Sequence, residues 1–450
     1  MKKRVISVLL AGLLCVSMLL PAAFAAQMGD LDGNGKVTTN DARTVLRVAI
    51  GLEQLTPEQK RLADADGNGK ITTNDARSVL RCAIGLENRP VLDDPAGEEP
   101  FDYDAVPDTA ESADGKYAVA YVVMPGELKD GSFNESTWNA VKRCAAENKM
   151  SYKYYEPEGG EEATPEALKA AVNEAVKNGA KAVVVCSFFF ENALLEIAPA
   201  NPEVEFIYVD GCPLEDDGGK LIPNVLGVGF KAQEAGFLAG YAAVADGCTA
   251  LGFSGGGGGM NPSVNLYGFG FLQGANAAAK EMNKTVKMNW SYRFGETYGP
   301  SDELEAQMKA WFTEDGIEAV MSCGGGMIVS ALDAAAAAGG KVIGVDDDLS
   351  GEYGELILTS ACKNMCGAAY SALCVFFGGR LAEYPDCKFS CGIAEGGVML
   401  PGANWSMKTF TPALYDAFLQ RFSEGKYTVS DDLEKLGDGA YRTNVTVKDC

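Results

Sequence analysis

Residues 319–348 read AVMSCGGGMIVSALDAAAAAGGKVIGVDDD. A short apolar run, Ala319–Cys323, meets three glycines and then a stretch of helical length and composition, Ile328–Ala338. A second apolar run, Lys341–Asp346, follows and stops in three aspartates. Runs apolar at every position suit strands covered by helices on both faces, as in a parallel sheet. The segment therefore predicts a β-α-β unit with its polar residues at the strand ends.

The pattern extends outward from there. Strands are expected at Tyr117–Met124, Tyr152–Glu156, Ala182–Ser187, Glu205–Asp210, Asn224–Phe230, Ala250–Ser254, Thr285–Tyr292 and Leu356–Ser360 as well. Helices are expected at Ser136–Asn148, Pro165–Asn178, Ala232–Val244 and Val264–Met282. The class is α/β, and ten strands exceed one compact sheet of this kind, so two lobes are expected.

Ligands of such sheets sit beyond the carboxyl ends of the strands. The segments that fall there are Asp130-Gly-Ser-Phe-Asn134, Ser187-Phe-Phe-Phe190, Asp210-Gly211, Gly255–Gly259, Gly324–Gly326, Asp346–Asp348 and Lys363. Gly255–Gly259 lacks the Gly-Lys-Ser/Thr of a phosphate loop, and a plain strand-to-helix turn explains it better. Phe188–Phe190 suit the core better than a stacking platform. Trp290 and Tyr292 stay unassigned. Three adjacent carboxylates after a buried strand are costly unless something pairs with them.

The chain has 450 residues, a formal net charge of −24 and no histidine. A polyanion makes a poor partner for nucleic acid or anionic membrane, and the missing histidine excludes Ser-His-Asp and Cys-His catalysis. Residues 1–25 have the form of a signal peptide: Lys2, Lys3 and Arg4, an apolar Val5–Leu20, and Ala23-Phe-Ala25 for cleavage. Leu14 before Cys15 argues against a lipobox. The expected product is secreted, extracellular or attached to the cell surface, with no membrane span after cleavage. Cys362-x3-Cys366 and Cys387-x3-Cys391 lack the C-x2-C knuckle of a zinc site, so the cysteines are expected to be apolar packing residues.

Residues 30–41 and 64–75 repeat the same loop. Asp30, Asp32, Asn34, Lys36 (through its carbonyl), Thr38 and Asp41 stand at the spacing that wraps a calcium ion in oxygens. Asp64, Asp66, Asn68, Lys70, Thr72 and Asp75 do so again. Two bound Ca2+ are expected, each loop feeding an amphipathic helix, Asp41–Ile50 and Asp75–Ile84. The tandem unit, residues 26–88, resembles a type I dockerin, although Asp ends each loop where an EF-hand has Glu. The resemblance implies binding to a cohesin module of a scaffold or cell-surface protein, as in a cellulosome, through Thr39, Asn40, Arg43, Thr73, Asn74 and Arg77. Because the repeats match there, either one is expected to face the cohesin. Residues 89–115, acidic and proline-containing, are expected to be an extended spacer.

Seven stretches from residue 116 to about 430 occur together in an order that resembles the BMP (basic membrane protein) family of ABC-transporter substrate-binding proteins, relatives of the purine nucleoside receptor. They are Asp130-Gly-Ser-Phe-Asn, Phe206-Ile-Tyr-Val-Asp-Gly, Glu234-Ala-Gly-Phe-Leu-Ala-Gly, Leu251-Gly-Phe-Ser-Gly-Gly, Gly268-Phe-Gly-Phe-Leu-Gln-Gly, Val342-Ile-Gly-Val-Asp and Leu358-Thr-Ser-Ala-Cys-Lys. The resemblance implies a two-lobed type I periplasmic-binding-protein fold that closes on a nucleoside. It implies that Phe133 and Tyr267 stack the base, Asp130 and Asn134 bond it, Asp346 and Lys363 hold the ribose, and Gly324 and Gly325 let the backbone approach the sugar. An ABC permease would be a further partner. Residues 431–450 read as a tail of no assigned role. A cohesin-docked hydrolase using carboxylates such as Asp130 and Asp346 is the rival reading, and a sugar-binding receptor or sensor of the same fold is another.

Overall fold

The computed structural model describes residues 101–450 except Asp104 and Ala403. Before them it describes Gly29, Leu31, 37–49, 52–63, Ile71, Thr73, Asp75, Ala76 and Val79. The expected signal peptide lies outside the described residues, as does the spacer from 89 to 100. The chain forms two compact units, Met1–Val91 and Leu92–Cys450.

In the first unit α1 spans Thr39–Ala49 and α2 spans Pro57–Ala63. Thr73, Asp75, Ala76 and Val79 are also helical. Leu31, Ala42, Val45, Ala63, Ala76 and Val79 make one small buried cluster. The two repeats thus share a core that neither could build alone.

The second unit holds two sheets. The first comprises β1 (Val119–Val122), β2 (Tyr152–Tyr155), β3 (Ala182–Cys186), β4 (Glu205–Val209), β5 (Val225–Phe230) and β11 (Lys388–Cys391), in the order β11-β5-β4-β3-β1-β2. The second comprises β6 (Ala250–Gly255), β7 (Val286–Ser291), β8 (Ala319–Cys323), β9 (Lys341–Asp346), β10 (Ile357–Lys363), β12 (Val398–Met399) and β13 (Val445–Asp449), in the order β12-β10-β9-β8-β6-β7-β13. Every pairing is parallel except that of β10 with β12. All ten expected strands are present. β11, β12 and β13 were not expected, and each lies at a sheet edge.

Helices cover both faces of each sheet. In lobe 1, Val119, Tyr121 and Val123 pack beneath α3 (Phe133–Glu147) and α10 (Met365–Phe377). Ala120 and Val122 pack on the opposite face, against α4 (Pro165–Lys177) and α5 (Glu191–Ala200). Lobe 2 has α6 (Ala232–Asp246) and α7 (Pro262–Glu281) on one face, with α8 (Asp302–Thr313) and α9 (Met327–Ala338) on the other. A final helix, α11 (Pro412–Ser423), adds Phe418 to the α6–α7 side. Helices α6 and α7 touch backbone to backbone. A Cβ at Gly236 would overlap the Tyr267 carbonyl, and one at Gly270 would overlap that of Gln233. This contact explains the spaced glycines of the two longest motifs and fixes where α7 carries Tyr267.

The chain passes between lobes at Lys231, at Asn364 and along Gly392–Gly397. Lys231 Nζ lies 3.7 Å from Glu234 and 3.2 Å from Glu395, whose carboxylates accept from Ile393 N and Gly392 N at 2.7 Å. Asn364 N donates to Gly397 O at 2.9 Å. These bonds tie the three crossings into one hinge.

Two expected boundaries are corrected. Residues 101–115 are not free spacer: Lys142 Nζ donates to Tyr103 O and Asp108, the Tyr152 hydroxyl donates to Pro107 O, and Ala110 bridges to Tyr152. Apolar Val106 and Ala110 pack on lobe 1, which an average over an acidic segment conceals. Residues 431–450 are not a tail, because β13 pairs with β7 from Val445↔Val286 to Asp449↔Trp290.

Glu205 opens β4 only 6% exposed, and burial pushes its carboxyl from 4.5 up to about 7. Its contribution to stability is thus fully present below about pH 4.5 and lost as pH rises through about 7. Glu205→Gln should stabilise the domain at pH 8 by about 3 kcal/mol and change little at pH 4. Urea unfolding at both values checks this, and an equal change at both would contradict it.

Candidate functional site

The carboxyl ends of the two sheets meet. Lys363, the last residue of β10, is 7% exposed, and its Nζ lies 3.0 Å from Asp210 Oδ2 and 3.1 Å from Asp346 Oδ1. Asp210 directly follows β4 in lobe 1 and Asp346 ends β9 in lobe 2, so one ammonium joins carboxylates of both lobes. Burial alone would lower the affinity of Lys363 for its proton, but the two carboxylates outweigh it and hold the group above an ordinary lysine. Both aspartates have positive φ, 53° and 69°. Asp tolerates that conformation better than most residues, and such strain concentrates at working sites.

Three rings surround the ammonium: Phe133 at 5.5 Å, with Phe230 and Tyr267 at 5.8 Å. Tyr267 is buried, and its hydroxyl donates to Asp346 Oδ1 at 3.1 Å. Burial, then Asp346, pushes that hydroxyl well above an ordinary tyrosine, so it stays a donor. Phe133, at the start of α3, is only partly buried.

A second bond crosses the lobes. Ser132 Oγ donates to Asp347 Oδ2 at 2.5 Å. Burial pushes the Asp347 carboxyl up to about 6, aided by Asp346 and Asp130 and opposed by Ser132.

The expected site residues thus divide. Phe133, Tyr267, Asp346 and Lys363 come together, Tyr267 with its hydroxyl on Asp346 and its ring covered. Asp130 is exposed and accepts from the backbone N–H of Ser132, Asn134 and Glu135 at 2.8, 3.0 and 3.1 Å. It clasps the start of α3, as a cap does. Asn134 does not reach the cleft and is corrected. It is 0% exposed; its oxygen accepts from Tyr121 OH and Met124 N, and its amide donates to Glu127 O and Met124 O. Gly324 and Gly325 have positive φ, and a Cβ on Gly324 would meet Met327 and Tyr298 at 3.0 Å. Asp210, Ser132 and Asp347 lie in segments expected at the strand ends but were given no role there, and Phe230 was missed. Position was the signal that marked Asp210, which directly follows the fourth strand of its lobe, while Asp346 ends the fourth strand of the other.

In the first unit Asp41, the last residue of its loop, is buried. Its carboxylate accepts from Leu31 N at 3.0 Å and from Thr38 N and Oγ1 at 2.9 and 2.6 Å. Asp75, its counterpart, is 0% exposed. A buried carboxylate at the last position of each repeat suits the ligand a hard cation needs there. Asp30, Asp32, Asn34, Lys36, Asp64, Asp66, Asn68, Lys70 and Thr72 lie outside the described residues, as do Asn74 and Arg77. Thr39, Asn40, Arg43 and Thr73 are exposed. The described cysteines are free thiols, Cys362 and Cys391 lie in different sheets, and no cluster of three or more metal-ligating side chains occurs among the described residues.

Residues 117–420 match the family model of PnrA-like ABC transporter substrate-binding proteins, and residues 28–81 match the type I dockerin domain. Basic membrane protein A2 of Borrelia garinii subsp. bavariensis is 29% identical over 62% of this chain and 80% of its own length. Basic membrane protein A of Borreliella burgdorferi is 28% identical over 61% and 76%. Among solved structures, an ABC transporter solute-binding protein from Conexibacter woesei aligns with a TM-score of 0.53 at 18% identity, covering 70% of this chain and 99% of its own. A transcriptional activator of the comK gene from Bacillus halodurans aligns nearly as well, with a TM-score of 0.52 at 16% identity over 71% and 98%. Those two likenesses show the fold alone.

Proposed function

Because this chain belongs to the PnrA-like family of ABC transporter substrate-binding proteins, which bind solutes and are not enzymes, we propose that it is an exported receptor for a nucleoside, presented on a cohesin-bearing scaffold or surface protein. The observation that carries the ligand class is the buried Lys363 between Asp210 and Asp346. A sugar hydroxyl both donates and accepts, and here a carboxylate acceptor and an ammonium donor stand side by side to match it. Phe133 offers a flat apolar face beside them for a base. Tyr267 holds Asp346 in place, and the Ser132–Asp347 bond closes the lobes over the ligand.

Negative charge exceeds positive around the pocket: Asp210, Asp346, Asp347 and Asp130 stand against Lys363. A phosphate entering there would face several carboxylates for one ammonium, so a nucleoside should bind at least about 30-fold more tightly than its 5′-monophosphate. Thermal-shift titration of both with saturating calcium measures the ratio. Equal affinities would contradict the assignment, as would shifts with monosaccharides alone.

The dockerin supplies the tether in this proposal. Two Ca2+ ions are held by Asp30, Asp32, Asn34, Lys36, Thr38 and Asp41 and by their counterparts in the second loop. The exposed Thr39, Asn40, Arg43 and Thr73, with Asn74 and Arg77, meet the cohesin. Variants altered at Thr39/Asn40 alone or Thr73/Asn74 alone should keep cohesin binding within about threefold, and only the combined variant should lose it. Loss in either single-repeat variant, measured by calorimetry, would show that one repeat alone faces the partner. An ABC permease then receives the solute.

A further inference from the structure

The loop after β3 carries Phe188-Phe189-Phe190, and the core placement expected for this run holds only for its last ring. Phe190 is buried in the apolar cluster shared with α4 and α5 and roots the loop there. Phe188 and Phe189 are 70% and 43% exposed. Their rings stack on one another, with centroids 4.5 Å apart and planes 25° from parallel. A single 3-10 turn, Phe188–Phe190, holds them, and the chain enters it through Ser187 at φ 73° and ψ 159°. That backbone region is open essentially to glycine alone, and a serine kept in it points to a function for the rings it presents.

The sheet places this turn beside the site at Lys363. β3 lies between β4 and β1. On the β4 side Ser187 N donates to Val209 O at 2.9 Å, and the next residue, Asp210, lies 3.0 Å from Lys363 Nζ. On the β1 side Val185 pairs with Val122, and the segment following β1 brings Phe133 to 5.5 Å from the same nitrogen. Adjacent strands are about 4.8 Å apart. The exposed rings therefore rise between the two segments by which lobe 1 reaches Lys363.

We propose that Phe188 is a solute-binding residue whose ring, backed by Phe189, stacks on the base of the nucleoside held at Lys363. The contact rests on the receptor reading above and adds to it a specificity-determining residue. Most of the Phe188 ring faces water, and a flat apolar partner laid against it removes that surface from solvent. The buried Phe190 and the stacked Phe189 fix the ring in advance, so little freedom is lost when the solute arrives. Every base has a π-face, so the contact selects aromatic solutes over free sugars without discriminating strongly among bases. Asp346 and Lys363 then read the hydroxyls, while Phe188 reads the flat ring.

The test is calorimetric titration of the calcium-loaded full chain with adenosine and inosine, beside Phe188→Ala and Phe188→Tyr. Phe188→Ala should lose about 10-fold or more in affinity. Phe188→Tyr keeps the ring and should stay within about threefold of the parent. Both variants should melt within about 2 °C of the parent, because the side chain is exposed. A third variant, Phe188→Trp, reports the contact directly: its indole fluorescence should be quenched by inosine beyond any change in the chain's four native tryptophans. Undiminished affinity in Phe188→Ala, with nucleoside binding intact in the parent, would overturn this contact and leave the receptor reading standing. Equal losses in Phe188→Ala and Phe188→Tyr, or an unquenched indole in Phe188→Trp, would also overturn it. A parent chain that binds no nucleoside would overturn the receptor reading and this contact with it.

Discussion

Lys363→Met should abolish solute binding, with a loss of at least about 100-fold in affinity, and should destabilise the large domain by about 3–5 kcal/mol. The reason is the position of the charge. Lys363 is buried, with Asp210 and Asp346 at 3.0 and 3.1 Å. Methionine fills a similar volume but leaves two carboxylates from opposite lobes facing one another without a cation. Removing one partner of a buried pair costs far more than the pair contributes on balance. Asp210→Asn should be milder, because the ammonium keeps Asp346, and Tyr267 still donates to that carboxylate. Calorimetric titration with chemical unfolding of each variant measures both effects. Binding by Lys363→Met within about threefold of the parent would show that the lysine is not at the ligand.

Chelating calcium should eliminate cohesin binding, lowering affinity by at least about 100-fold, and leave solute affinity unchanged. Asp41 and Asp75 are buried on the small cluster of Leu31, Ala42, Val45, Ala63, Ala76 and Val79. Without a cation, each loop would bring its carboxylates together against an apolar core too small to hold them. Metal affinity is therefore folding free energy for this unit. The pocket around Lys363 belongs to the other compact unit and draws on none of these residues. Calorimetry against a cohesin and a nucleoside, with calcium and then with EGTA, separates the two. Undiminished cohesin binding in EGTA would contradict the calcium assignment.

The two-lobed α/β fold was legible because parallel strands covered on both faces must be apolar at every position, as in the buried runs at 182–186 and 319–323. Lys388–Cys391 and Val445–Asp449 escaped for the converse reason. They are edge strands whose exposed residues, such as Lys388 and Thr446, break the run. The strap at 101–115 escaped because its few packing residues sit among many charges. At the site, the residues that end or directly follow strands were legible, Lys363 and Asp346 above all. Asn134 was not, since a motif gives a residue's place on a helix and not the side of the first turn it faces. Asp210 was legible as a strand-end position, but its pairing with Lys363 across the lobes was not.

The central claim is that the pocket built on Lys363 holds a nucleoside. Titration calorimetry of the calcium-loaded full chain with adenosine, guanosine, inosine and cytidine, and with glucose, galactose and arabinose as controls, tests it most directly. At least one nucleoside should bind at one site per chain with a dissociation constant of about 1 μM or below, lost in Lys363→Met, while the free sugars give no heat. Saturable binding of a sugar with no response to any nucleoside would contradict the claim.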